Sequence, residues 1–184
     1  TLSGGGNQIT GKDTTGASVK AVGATVASGA TLLINAPGAG QNIITGDTTA
    51  GAGAAYGIYD SGTTTITGND NTIQGTANTG AGTGYWGSGL TVGASGSSVE
   101  GNNNTFSGTS QHNDASGIVL SGAGTYNIHG YGNQIKARAS TVSGSGTATG
   151  IDMRNSTWLN IFSDNHISAF SGANLGDSGD AIGI

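Results

Sequence analysis

The chain has 184 residues, among them 37 glycines, one proline and no cysteine, with 8 % charged residues and a formal charge of −5. Leu, Ile, Val and Phe number only 32, about 17 %, which excludes one large apolar core, while the small net charge argues against a solvated disordered chain. Glycine without a three-residue period excludes collagen, five Lys plus Arg exclude a nucleic-acid surface, and no apolar run approaches the roughly 20 residues of a membrane helix.

In chain order, a pattern Asn-x-Ile/Phe-x-Gly/Ala begins at Asn7, Asn42, Asn71, Asn104, Asn133 and Asn165. Its apolar members, Ile9, Ile44, Ile73, Phe106, Ile135 and Ile167, are separated by 35, 29, 33, 29 and 32 residues. A second set of anchors, Ile34, Ile66, Val99, Ile128 and Ile161, lies shortly upstream of these. A third set follows Gly or Ala downstream, at Ile58, Leu90, Ile118, Ile151 and Ile182. Each repeat therefore predicts three short strands separated by Gly, Asn, Asp and Ser turns, and helical periodicity is missing throughout.

A three-residue strand cannot bury its side chain alone. Stacked about 4.8 Å from an equivalent strand in the next coil, it pairs its backbone and lays Ile on Ile. The fold expected is all-β: a right-handed three-sided parallel β-helix of about six coils of roughly 30 residues, with glycine supplying positive φ at the turns. Asn7, Asn42, Asn71, Asn104, Asn133 and Asn165 then form a structural ladder of side-chain amides. No signal-peptide-like segment precedes Thr1, and both ends lie mid-pattern. Residues 1–184 thus read as a single β-helix segment, an excerpt of a longer solenoid.

The run Gly117-Ile118-Val119-Leu120-Ser121, then Tyr126-Asn127-Ile128-His129-Gly130 and Asn133-Gln134-Ile135, resembles the right-handed parallel β-helix repeat of pectate-lyase-like proteins and bacterial exoproteins. Gly150-Ile151-Asp152-Met153 with Leu159-Asn160-Ile161 and Asn165-His166-Ile167 repeats the match. The Gly/Thr/Ala/Asn-rich filling, as in Ile73-Gln74-Gly75-Thr76-Ala77-Asn78-Thr79-Gly80, is similar to passengers of type V secretion. These are the filamentous-haemagglutinin-like two-partner exoproteins and autotransporter adhesins. The resemblance implies a secreted or bacterial cell-surface location.

Chemistry is sparse. The nine Asp and Glu100 do not share a column of the repeat; Asp60 reads as a turn cap, and Asp177 and Asp180 fall in a Gly/Ser turn. His112, His129 and His166 occupy three different repeat positions, so no metal site is expected, and no cofactor. Lys12, Lys20, Lys136, Arg138 and Arg154 read as solvated charges. Aromatic residues carry more information. Tyr85 and Trp86 stand on the longest Gly-flanked loop, with Tyr56 and Tyr59 one coil earlier, and these four are the candidate binding residues. A second set, Tyr126, Tyr131, Trp158 and Phe162, lies in successive coils around another corner, as a solenoid side or as stabilising stacks. The segments 47–57, 76–89, 109–117, 138–150 and 170–181 are expected as a wall of loops on one corner.

The function expected is that of a non-catalytic stalk with an adhesive or receptor-binding surface. Its partners are a host or neighbouring-cell surface protein or glycan and contiguous coils of the parent protein, with no nucleic acid and no membrane insertion. Two alternatives are the receptor-binding region of a contact-dependent growth inhibition exoprotein and a polysaccharide-binding or -cleaving β-helix such as a phage tailspike. An ice-binding face fails because the outward column Thr10, Thr45, Gln74, Ser107, Lys136, Ser168 loses its threonines too soon.

Overall fold

The computed structural model describes residues 1–15, 19–35, 41–50, 52–78, 86–92, 96–121, 124–139, 142, 145–154, 157–162, 164–172 and 181–183. For residues 86–92, 124, 157, 181 and 182 it describes the backbone alone. The first coils comprise β1 (Leu2–Ser3), β2 (Gln8–Lys12), β3 (Ala21–Val26), β4 (Thr31–Asn35), β5 (Ile43–Thr48) and β6 (Ala55–Asp60). The middle coils comprise β7 (Thr63–Ile66), β8 (Thr72–Ala77), β9 (Trp86–Val92), β10 (Ser98–Val99), β11 (Thr105–Ser110) and β12 (Asp114–Leu120). The last are β13 (Gly124–Ile128), β14 (Gln134–Ala139), β15 (Ala148–Met153), β16 (Thr157–Ile161), β17 (His166–Ser171) and β18 (Ala181–Ile182).

Every third strand joins the same parallel sheet. Sheet A stacks β1-β4-β7-β10-β13-β16, sheet B stacks β2-β5-β8-β11-β14-β17, and sheet C stacks β3-β6-β9-β12-β15-β18. Four interior coils thus have neighbours on both sides, and the two end coils each include a two-residue strand, β1 or β18. The chain is a three-sided parallel β-helix, and no helix occurs among the described residues.

Register follows the anchors. Ile44, Ile73, Phe106, Ile135 and Ile167 lie opposite one another in sheet B, and Ile34, Ile66, Val99, Ile128 and Ile161 do so in sheet A. Ile58, Leu90, Ile118 and Ile151 form the third column. Full burial of each such side chain is worth about 1.5–3 kcal/mol. The expected member Ile182 departs from this column: it pairs with Thr149, two residues short of the Ile151 position, and Ala24 takes the anchor place in the first coil.

The strands are longer than three residues, and this redraws the expected loop wall. Segments counted as loop belong instead to sheets B and C, which extend toward their shared corner; only residues 111–113 separate β11 from β12. The physical cause is the small-residue seam there. Gly46 lies so close to sheet C that a Cβ would fall 2.2 Å from the Tyr56 carbonyl oxygen, and Ala115, Ala137, Ala139 and Ala148 continue the seam as a buried cluster. Only residues this small let two sheets approach backbone to backbone.

Turn chemistry also differs from the expectation of glycine. At the A-to-B corner the residue preceding five of the six ladder asparagines has positive φ: Gly6 (80°), Asp70 (58°), Asn103 (55°), Gly132 (67°) and Asp164 (64°). Asp and Asn tolerate the left-handed conformation through local hydrogen bonding, so glycine is optional at this turn. By contrast, the glycine before the sheet C anchor is required by space. A Cβ on Gly117 would lie 2.7 Å from Ile135 Cγ2 and 2.8 Å from the Gly150 carbonyl oxygen, because the sheet B isoleucine of the next coil overhangs it.

Two substitutions test this packing. Gly117→Ala is expected to cost about 1–3 kcal/mol by overpacking. Ile128→Asp, which puts an unpaired charge into a core one residue thick, is expected to abolish the cooperative transition. Thermal melts followed by circular dichroism check both; an unchanged Tm for either refutes the packing assigned.

Candidate functional site

Six asparagines occupy consecutive rungs at the A-to-B corner. Asn7 Nδ2 donates to Asn42 Oδ1, Asn42 Nδ2 to Asn71 Oδ1, and Asn71 Nδ2 to Asn104 Oδ1, each at 2.9 Å. The backbone N–H of Asn71, Asn104 and Asn133 donates to the carbonyl of the next asparagine at 2.9, 2.8 and 3.0 Å. Each Oδ1 points toward the preceding coil, so the ladder has one polarity. At the last rung, Asn165 Nδ2 turns to the carbonyls of Gly130 and Phe162 at 2.8 and 2.7 Å. Asn104 Nδ2 and Asn133 Nδ2 are buried without a hydrogen-bond partner, against the turns at Gly101 and Gly130. Asn42, Asn71, Asn104 and Asn133 are buried, and their amides present no surface to a ligand.

The acidic groups are bound to local tasks. Asp60 is buried and accepts from the Gly62 amide at 2.7 Å and from Ser97 Oγ at 3.2 Å, as a turn cap does. Asp47 accepts from the amide and hydroxyl of Thr49 at 2.8 and 2.6 Å, and Asp114 accepts from the Thr147 amide at 2.7 Å. Arg154 Nε donates to Asp152 at 2.8 Å. Among the described residues no three His, Asp or Glu come together as a metal site; Asp177 and Asp180 lie outside those residues.

The basic residues, expected as simple solvated charges, mostly lie against a neighbour. Lys12 faces Asp47 at 3.7 Å, Lys20 Nζ stands 4.9 Å from the Tyr59 ring centroid and 5.6 Å from that of Tyr56, and Arg138 covers Phe170 at 5.5 Å. Parallel stacking puts residues of adjacent coils about 4.8 Å apart, within easy reach of a long side chain.

Of the four candidate binding residues, Tyr56 is 5 % exposed and meets Tyr59 edge to face at 5.2 Å. Burial first, then Tyr59, push the Tyr56 phenol above its ordinary value near 10, and Arg154 opposes this. Tyr56 stands in β6 rather than in a loop, and Trp86 opens β9 with its backbone opposite Asp114. Tyr85, and the side chain of Trp86, lie outside the described residues.

The second aromatic set divides by strand alternation. Tyr126 pairs with Leu159 on the inward side of sheet A and is buried in the core. One residue earlier, Thr125 pairs with Trp158 on the outward side, where Trp158 is 74 % exposed. Phe162, one residue past β16, and Tyr131, in the turn after β13, are 53 % and 59 % exposed. The outer face carries two polar pairs between these rings. Asn160 Nδ2 donates to Asn127 Oδ1 at 2.9 Å, and His129 Nδ1 lies 2.7 Å from Glu100 Oε2. His129 also meets Phe162 edge to face at 4.6 Å. The repeats Asn127-Ile128-His129 and Asn160-Ile161-Phe162 carried the signal for these pairs: the residues flanking an inward anchor are the ones displayed outward.

No protein-family model matches the chain, and no characterised protein or solved structure is significantly similar to it.

Two measurements test this account. Asn71→Ala strands the buried Asn42 amide and is expected to cost about 2 kcal/mol, whereas Asn160→Ala at the exposed pair stays within about 0.5 kcal/mol; urea midpoints decide, and equal costs refute the ladder's role. For Tyr56, a folded-state value raised above the unfolded one contributes stability below pH about 10 that is lost as pH rises through the folded value. Tyr56→Phe is therefore expected to flatten the alkaline decline of the urea midpoint, and an unchanged slope between pH ~9 and ~11 counts against it.

Proposed function

We propose that the chain is a non-catalytic segment of a large secreted or cell-surface bacterial exoprotein, serving as stalk and as adhesive or receptor-binding surface. The observation that carries this reading is the exposure of Trp158 on β16, and of Phe162 directly after it, while Leu159 and Ile161 between them pack against the core. A solenoid's strands are committed to stacking, so its outer faces hold displayed groups rigidly and at fixed spacing. An exposed tryptophan on such a scaffold loses little conformational freedom on binding, which favours recognition. The capping and pairing of Asp47, Asp60, Asp114, Asp152 and Glu100 supports a non-catalytic role, since each carboxylate already serves a turn or an ion pair. The partners proposed are surface proteins or glycans of a host or neighbouring cell.

The test is binding of fluorescently labelled chain to epithelial and bacterial cells. Saturable binding, displaced by unlabelled chain, is the expected result. Absence of saturable binding to either cell type overturns the reading. Release of reducing sugar from a polysaccharide, abolished by Asp152→Asn, transfers the chain to the enzyme class.

A further inference from the structure

We infer that the outer face of sheet A, from β13 to β16, is a binding platform for a neutral, linear glycan. The inference rests on the adhesive reading above and names its ligand chemistry. Along β16, Trp158 and Asn160 alternate with the inward Leu159 and Ile161 and project from one side about 6.6 Å apart, and Phe162 follows directly after the strand's last residue. The indole of Trp158 makes no ring contact or hydrogen bond among the described residues, and its π face is free to take the C–H side of a sugar ring.

Beside it, the Asn160-to-Asn127 hydrogen bond uses one donor and one acceptor. The remaining Asn127 Nδ2 donor and Asn160 Oδ1 acceptor stay available on the face, fixed in place by strand pairing of their backbones. That combination suits a hydroxyl pair, which both donates and accepts. One coil further, Glu100 holds His129, and His129 holds the edge of Phe162, so the second ring is oriented before any ligand arrives.

Charge decides between ligand classes. The carboxylate on this face, Glu100, lies against the His129 ring, and no lysine or arginine stands in the columns formed by β7, β10, β13 and β16. A polyanion finds no cation here. A protein partner's apolar core finds no contiguous apolar patch, because an amide separates the two rings. Isolated rings interleaved with neutral hydrogen-bonding groups match a sugar chain, which offers an apolar ring face and hydroxyl edges in alternation.

The probes are cellohexaose, chitohexaose, laminarihexaose and maltohexaose, titrated into the chain while indole signals are followed by NMR and fluorescence. At least one hexasaccharide is expected to shift the Trp158 indole resonance. Trp158→Ala is expected to weaken that binding at least about tenfold and Asn160→Ala about threefold, with Tm unchanged in both. If none of the four shifts the Trp158 resonance, or if Trp158→Ala binds as the parent chain does, the platform is overturned. Cell binding separates this failure from that of the adhesive reading. Binding abolished by periodate oxidation of the cells supports the glycan. Binding that resists periodate, is lost on protease treatment and survives Trp158→Ala overturns the glycan and leaves adhesion standing.

Discussion

Backbone pairing between coils is the interaction on which everything else here depends. No coil buries its own apolar residues; Ile44 is covered because Ile73 lies beside it in the next rung, and Ile73 because Phe106 does. The core is only one or two inward residues wide per strand, as with Tyr126 and Ile128 in β13, and it works because parallel pairing holds equivalent residues about 4.8 Å apart. A chain with only 32 Leu, Ile, Val and Phe residues folds this way because each interior anchor is used twice, against the rung above and the rung below.

That economy imposes two further constraints. The first concerns polar groups at corners, where the backbone leaves one sheet and enters the next without ladder partners. The asparagine column answers it at the A-to-B corner, each Oδ1 collecting donors from the preceding coil, while at five of the six rungs the preceding residue adopts the left-handed conformation that makes the bend. The second concerns space. Where sheets B and C converge, Gly46 and the alanines of coils four and five permit an approach that larger side chains forbid, and Gly117 leaves room for the overhanging Ile135. Glycine abundance is therefore a packing requirement in sheet C more than a source of turn flexibility.

With inward positions committed to packing and corners to hydrogen bonding, the outward residues are left to interact with the surroundings. Most are Thr, Ser, Gln and Asn, and several charges meet an opposite one, Lys12 with Asp47 in the next coil and Arg154 with Asp152 in its own. Against this bland surface the exposed Trp158 and Phe162 stand out, because exposing a large ring to water forgoes a burial that the adjacent Tyr126 and Leu159 obtain by pointing inward.

Fold class, coil period and the inward anchors of sheets A and B were determined by the sequence itself, since a β-branched residue recurring every 30 or so positions admits one stacking register. The asparagine positions were legible for the same reason. Strand lengths and the two ends of the third column were not, although Ile58, Leu90, Ile118 and Ile151 stand where the repeat put them. Ile182 mimics an anchor in its local context, yet its pairing with Thr149 is decided by the strand beside it. Glycine-rich stretches read as loops locally, and only the approach of sheet B to sheet C makes them strands. The binding residues divide likewise. Sequence marks Tyr56 and Trp158 equally as aromatics among small residues, but the tertiary structure buries Tyr56 against Tyr59 and leaves Trp158 in water. Which side of a strand lies outside depends on where the other two sheets are, and that is a property of the closed coil rather than of any segment in it.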